Sequence, residues 1–325
     1  MRSALLLAAI LFAGCVSAPP TTISGDPSCA PSVQDTAWLA RAPEIWPVVS
    51  RDVFRLKSPD RSVTYVLFDA RCAFTSTDVH AWTSVVHGGQ VSLPDGQKLP
   101  AQVTSFAAPA PEGSVMMVMA LPTVWSASDV TSEMGLERLM FAVLAHEMTH
   151  TRQFNDYGPR IDALAAASGV GADLTDDIIQ DRFESTSAFA ASIEHEQELL
   201  LAASAQTDDG KARALAGEAL VLIEARRAKW LSGEAAPLGE LEDIFLTMEG
   251  AGQFAGYAWL AQPDGGGLDR KSALAGMRRG KRWSQDLGLA LFMAIDRLSP
   301  SWPDDGFAAS PRTVLALLRA AVQGR

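Results

Sequence analysis

Residues 146–150 read His146-Glu147-Met148-Thr149-His150 and come at the end of the apolar run 136–144. The helical spacing of that run predicts an α-helix with one buried face. Residues four apart lie on the same face of a helix, so both imidazoles can reach one ion while Glu147 stands beside it. A catalytic zinc keeps one position open for water, and a neighbouring carboxylate can take the proton of that water. The pattern therefore predicts a Zn²⁺ site with His146 and His150 as ligands and Glu147 as general base; the alternative is two ordinary histidines on a solvated helix face.

With only five histidines in the chain, a chance H-E-x-x-H is rare. The motif, on a predicted helix, resembles the active-site helix of the zincin metallopeptidases. That resemblance implies a zinc-dependent hydrolase of peptide bonds, with a peptide or protein as substrate. Two other hypotheses stay open at this point: a non-catalytic envelope lipoprotein that binds a partner, and a zinc amidase that acts on cell-wall peptides.

Two histidines leave zinc short of a third protein ligand. Between residues 244 and 260 the one charged side chain is Glu249, and a carboxylate in such an apolar run is costly to bury unless it is paired or metal-bound. Glycine is unfavourable inside a helix, so Gly250, Gly252 and Gly256 indicate close approach to another backbone. We therefore predict that the helix of Glu249 packs against the helix that carries His146 and His150, here called the metal helix, and that Glu249 completes the site. This arrangement resembles the gluzincin branch.

Other residues compete for roles at this site. Glu194 and Glu198, on either side of His195, could bind the metal or support its ligands, although a solvated charged helix face explains them better. Tyr257, about two turns beyond Glu249, is predicted as the donor to the developing oxyanion, with His195, Tyr157 and Arg160 as alternatives. Gln153 is a candidate to support a metal ligand, and the basic stretch 278–282 could meet a substrate carboxylate or simply be solvated.

The N-terminus has export features. Residues 1–14 combine one basic residue with a short apolar run and are predicted to be a signal peptide. The ending Ala13-Gly14-Cys15 resembles a bacterial lipobox, which implies a lipid anchor on Cys15 and a place in the cell envelope, facing the periplasm. Residues 15–31 are predicted to be a flexible tether. In an oxidising compartment Cys29 and Cys72 can pair, although two free thiols remain an alternative.

We predict an α+β fold in which a β-rich N-terminal portion (32–125) meets a mostly helical, zinc-binding catalytic portion (126–325) at a cleft. Residues 91–103 form a hairpin around Asp95-Gly96. By resemblance to zincins, the strand 114–121 is the candidate for the edge strand that holds extended substrate; the alternative is an ordinary core strand whose methionines pack in the interior. The metal helix should end at residues 156–159, where Gly158 and Pro159 follow one another.

The charge of the chain bears on its partners. Its net charge is −11, which argues against binding nucleic acid or adhering to an anionic membrane by charge. After the N-terminus no apolar run is long enough to span a bilayer, so membrane association is expected only through the lipid anchor.

Overall fold

The computed structural model describes residues 22–57, 62–170, 174–278 and 282–324. The predicted signal peptide and Cys15 lie outside these ranges. Among the described helices, none combines the length and apolar character needed to cross a membrane.

The N-terminal half is built around a mixed six-stranded sheet, with a separate two-stranded hairpin. The strands are β1 (Thr22–Gly25), β2 (Val63–Phe68), β3 (Cys72–Ser76), β4 (Ala81–Val86), β5 (Gln90–Ser92), β6 (Lys98–Pro100), β7 (Ser105–Pro109) and β8 (Val115–Ala120). The order across the large sheet is β1-β4-β3-β2-β8-β7. Strands β1 and β4 are parallel, as are β2 and β8, and the other neighbours are antiparallel.

The predicted hairpin is confirmed. Strands β5 and β6 pair antiparallel, with Val91 opposite Leu99. Gly96 has φ +86° in the turn between them, a conformation that glycine adopts without the steric cost of a Cβ.

The predicted edge strand is not at an edge. Strand β8 pairs with β2 on one side and with β7 on the other, and all six of its residues are buried. Its apolar composition, Val-Met-Met-Val-Met-Ala, is typical of a strand in the interior of a sheet that is covered on both faces. The edge strand on this side of the sheet is β7, which was not predicted from the sequence.

The predicted tether is structured over much of its length. Residues 22–25 form β1, and Cys29 is disulfide-bonded to Cys72 at the start of β3. The pairing proposed from the sequence is therefore confirmed. A helix, α1 (Val33–Val48), then follows, and Ser32 caps it by accepting a hydrogen bond from the Asp35 amide. The portion predicted to be β-rich thus begins with a helix.

The C-terminal half is helical, which confirms the α+β class. After α1 the helices are α2 (Pro122–Ala127), α3 (Leu136–Ser168), α4 (Ile178–Phe183), α5 (Ser187–Ala205), α6 (Asp209–Trp230), α7 (Ala236–Ala261), α8 (Arg270–Met277), α9 (Trp283–Leu298), α10 (Pro303–Gly306) and α11 (Val314–Val322). Helix α7 lies between α3 and α9, while α5 and α6 pack on each other as an antiparallel pair.

The metal helix is longer than predicted. Helix α3 is 33 residues long in total and passes through Gly158 and Pro159 without a break. It is capped by Gly169, which has the left-handed conformation. Tertiary contacts outweigh the local cost of the proline. Tyr157 is buried against Ile244 and Met248 of α7, and its hydroxyl donates to the carbonyl of Arg312 at 3.3 Å.

Candidate metal centre

Three side chains from two helices meet at one point. On α3, His146 and His150 lie one turn apart with their Nε2 atoms 2.9 Å from each other. On α7, Glu249 places Oε2 at 3.3 Å from Nε2 of His146 and Oε1 at 3.2 Å from Nε2 of His150. All three residues are buried, and the group could hold a metal ion. The predicted packing of the two helices is confirmed.

Glycines allow this approach. A methyl group on Gly252 would lie 2.7 Å from Nδ1 of His146, and one on Gly256 would lie 3.0 Å from the carbonyl oxygen of Ala142 on α3. Gly250 faces the other side, where a methyl group would lie 2.6 Å from the carbonyl carbon of Gly288 on α9. All three glycines flagged in the sequence therefore mark close contacts between helices, as expected.

Hydrogen bonds orient two of the three side chains. The Nδ1 atom of His150 is 3.1 Å from Oε1 of Gln153, whose amide nitrogen lies 3.4 Å from the carbonyl oxygen of Thr247 on α7. Gln285, in the first turns of α9, donates to Oε2 of Glu249 at 3.2 Å. Bonds of this kind hold a ligand side chain in one orientation and restrict the tautomer of a histidine.

The charges of the group depend on one another. Burial by itself would lower the pKa of His150, but the adjacent Glu249 carboxylate raises it to about 9. Burial would likewise raise the pKa of Glu249, but the two imidazoles hold it well below its usual range. Asp176 lies in the same electrostatic environment, and burial together with the Glu249 charge raises its pKa to about 6. A metal ion held by these residues would bind the neutral form of His150, so its binding would release a proton.

A cleft of about 240 Å³ opens beside the cluster. Glu147 and His146 line it, so the predicted general base faces the same space as a predicted ligand. The opposite walls come from four elements: β7, α7, the short helix α8 and α9. They contribute Ser105, Gln253, Gly276, Met277 and Gln285, while α3 adds the apolar residues Leu139, Ala142 and Val143.

Several predicted site residues lie elsewhere. Tyr257 lines a different cavity, together with Arg55, Arg270 and Asp296, and is not among the residues that line the cleft at Glu147. Its separation from Glu249 explains this, because eight residues of α-helix advance about 12 Å and rotate the side chain roughly 80° away. The structure therefore does not bring Tyr257 to the metal centre.

The alternative candidates do not line the cleft at Glu147 either. Tyr157 is buried against α7 and bonds to the Arg312 carbonyl, and Arg160 lies over its ring. Glu194, His195 and Glu198 are exposed on α5, with His195 3.7 Å from Glu198, which fits the solvated charged face. In the basic stretch, Arg282 pairs with Asp177 at 2.6 Å, and residues 279–281 lie outside the described ranges.

Three polar residues at the site were missed by the sequence analysis: Ser105, Gln253 and Gln285. Gln253 is buried one turn after Glu249, and its Oε1 has no hydrogen-bond partner among the described residues. Its position could have been noticed in the sequence, since Gln253 is an amide side chain within the same apolar run, 244–260, in which Glu249 is the one charged residue. Ser105 and Gln285 carried no such signal, because they reach the site only through the packing of β7 and α9.

No family model matches the chain, and comparisons with curated proteins and with solved structures also find no significant match.

Proposed function

We propose that this chain is a zinc-dependent hydrolase of peptide bonds, with His146, His150 and Glu249 as metal ligands and Glu147 as general base. The observation that carries the proposal is the convergence of Glu249 on the two histidines of the H-E-x-x-H helix, next to a cleft that Glu147 also lines. The zincin-like motif and this independent meeting of two helices point to the same chemistry.

The donor set fits zinc. Two imidazole nitrogens and one carboxylate oxygen are a ligand combination of catalytic zinc sites, in which a fourth position is left for water. Tetrahedral ligands about 2.1 Å from zinc lie about 3.4 Å from one another. The ligand atoms here are 2.9–3.3 Å apart, so small adjustments would bring them to that spacing. Bound zinc would polarise the scissile carbonyl and make a coordinated water acidic at neutral pH.

The chain's own residues would then move the protons. Glu147 follows His146 directly and faces the cleft, so its carboxylate can accept a proton from the attacking water. The same carboxyl can pass that proton to the nitrogen of the departing amine, because both events occur on the cleft side of the metal ligands. Gln285 and Gln153 keep Glu249 and His150 in place during these steps.

Substrate binding is proposed at β7. The amide of Ala120 donates to the carbonyl of Thr104, and the amide of Ala110 donates to the carbonyl of Ser114. Because paired and unpaired residues alternate along an antiparallel strand, the backbone groups of Ser105 and Ala107 point to the open edge. An extended peptide can pair with them as an added strand, without a particular side-chain sequence.

Gln253 is proposed to contact the substrate directly. It lines the cleft with Glu147, and its buried carboxamide oxygen lacks a partner among the described residues. A peptide group offers both a donor and an acceptor, so a substrate can satisfy the carboxamide that the free protein leaves incomplete. Tyr257 has no part in this mechanism, because it lines another cavity.

We further propose an exported protein, anchored by lipid at Cys15 and facing the periplasm. The disulfide between Cys29 and Cys72 supports export, because such bonds persist in oxidising compartments.

The test combines metal analysis with a broad peptide library, using wild-type protein and Glu147→Gln. The wild type should hold one zinc and cleave peptides. Glu147→Gln should keep the zinc and lose roughly 10²- to 10⁴-fold in turnover, the usual contribution of a general base. Undiminished turnover in this variant would refute the mechanism. Zinc-loaded wild type that cleaves cell-wall peptides and no others would instead indicate the amidase, and one that cleaves neither would indicate a binding protein.

A further inference from the structure

A second cavity, of about 490 Å³, lies apart from the metal centre. It is formed where the π-helical turn after α1 (Val49–Val53) and the residues that follow meet α7, α8 and α9. Its volume lies within the range of small-molecule sites in proteins. None of the residues that line it also lines the cleft at Glu147.

Some charges around this cavity already have partners. Asp52 is held by two hydrogen bonds from Arg51. Arg297 donates to the carbonyls of Gln206 and Thr207 and to the carboxylate of Asp209. These groups are therefore not free to receive a ligand.

Two guanidinium groups and one carboxylate remain. Arg55 and Arg270 form no ion pair within 4 Å with any residue in the described ranges, and both line the cavity together with Asp296. Burial raises the pKa of the Asp296 carboxyl, and the hydrogen bond from Trp302 and the two guanidinium groups offset part of that increase. Asp296 accepts one bond, at 3.2 Å from the indole nitrogen of Trp302. Arg55 has φ +52°, a conformation that residues other than glycine rarely adopt.

Tyr257 supplies a hydroxyl group to the same cavity. The residue as a whole is only 8% exposed, but its hydroxyl is accessible from the cavity and makes no hydrogen bond with the described part of the chain. A ligand in the cavity can therefore bond to this hydroxyl. Tyr257, Arg270 and Asp296 all line this cavity, so one ligand can contact all three.

We propose that this cavity binds a small zwitterion, an amino acid or short peptide, whose carboxylate is received by Arg55 and Arg270 and whose ammonium group is received by Asp296. Tyr257 bonds to the polar part of the ligand between these charges. Guanidinium groups suit carboxylates because their N–H donors match the two oxygens. The proposal does not depend on the zinc mechanism, since the two sites share no lining residue.

The experiment is calorimetric titration of the full chain with triglycine, succinate and inorganic phosphate. Triglycine should bind more tightly than either anion, since only triglycine also carries an ammonium group. Arg270→Ala should weaken triglycine binding by about 10- to 100-fold, as loss of a charged hydrogen bond predicts, and Tyr257→Phe by several-fold. Arg319→Ala removes another exposed guanidinium, from a surface pair with Glu224 outside this cavity, and should change nothing.

Asp296→Asn tests the proposed ammonium site separately from the carboxylate site. It should weaken triglycine binding but leave succinate binding unchanged or stronger, because it removes the acceptor of the ammonium group and reduces repulsion of the second carboxylate. Variants are first compared with wild type by thermal unfolding to show that they fold. The proposal is overturned if triglycine does not bind, if Arg270→Ala and Tyr257→Phe bind it as wild type does, or if phosphate binds as tightly as triglycine.

Discussion

The imidazole of His146 lies directly against the backbone of Gly252: a methyl group on this glycine would be 2.7 Å from Nδ1. The two residues belong to different helices, α3 and α7. Their contact allows α7 to come close enough for Glu249, three positions earlier, to reach both histidines. The glycine at this position is therefore needed for the close packing that forms the candidate metal centre.

Gly252→Ala should damage metal binding more than folding. The added methyl group must displace the ring of His146, because a Cβ at 2.7 Å from a ring atom is too close to be accommodated. We expect zinc affinity to fall by at least tenfold, measured by competition with a chromophoric chelator. The control is Gly158→Ala on α3, where a Cβ meets nothing within 4 Å. Equal zinc affinities in the two variants would contradict this account of Gly252.

Gln285→Leu should weaken the site without adding bulk at the metal. It removes the 3.2 Å hydrogen bond that orients Glu249, and loss of such a supporting bond typically costs about 10- to 100-fold in metal affinity or activity. The same chelator competition measures it. Gln97→Leu, on the exposed hairpin, is the matched control and should bind zinc normally. If Gln285→Leu also binds normally, the bond to Glu249 has no role in metal binding.

Arg226→Met should destabilise the helical body strongly. Arg226 is fully buried between Glu196 and Glu242, which it contacts at 2.8 and 2.5 Å, so the substitution leaves two buried carboxylates without their main partner. Loss of one partner of a buried ion pair costs about 3–5 kcal/mol. Urea unfolding measures it. Arg319→Met breaks an exposed pair and should cost under about 1 kcal/mol, and a similar value for Arg226→Met would argue that the buried network is not stabilising.

Asp286→Asn should stabilise the protein near neutral pH. Burial raises the pKa of this carboxyl to about 6, against the lesser effect of Arg278. The folded state therefore binds a proton more tightly than the unfolded chain, and stability from this group falls as pH rises from about 4 to 6. The variant should exceed wild type by about 1 kcal/mol at pH 7.5, after allowance for partial solvent exposure, and by little at pH 4. A pH-independent difference in urea unfolding would be inconsistent with this origin.

The metal helix and its distant partner could be predicted from the sequence because both leave strong local patterns. Two histidines four apart occupy one helix face whatever the surrounding fold. A single carboxylate among apolar residues and glycines, as at Glu249, is unfavourable in isolation and therefore indicates a partner. The hairpin around Gly96 was predictable for the same reason, since its turn residues act locally.

Other predictions were wrong because they depended on packing. Gly158-Pro159 is a strong local stop, yet α3 continues because Tyr157 is anchored on α7. Strand β8 was placed at the sheet edge, whereas β7 covers it. Tyr257 was expected at the metal centre, whereas its side chain lines another cavity, because it projects from α7 in a different direction from Glu249. In each case the local pattern was compatible with two arrangements, and long-range contacts selected one.

The sequence by itself determined the α+β class, the helix that carries His146, Glu147 and His150, and the glutamate that meets them. These follow from periodicity and from the cost of burying a lone charge, which act over a few turns of helix. Only the tertiary structure decided that β7 forms the edge beside Glu147, that Gln253 and Gln285 join the site, and that Tyr257 does not. Their positions depend on how helices and strands far apart in the chain pack together, and a local sequence pattern carries no information about such long-range packing.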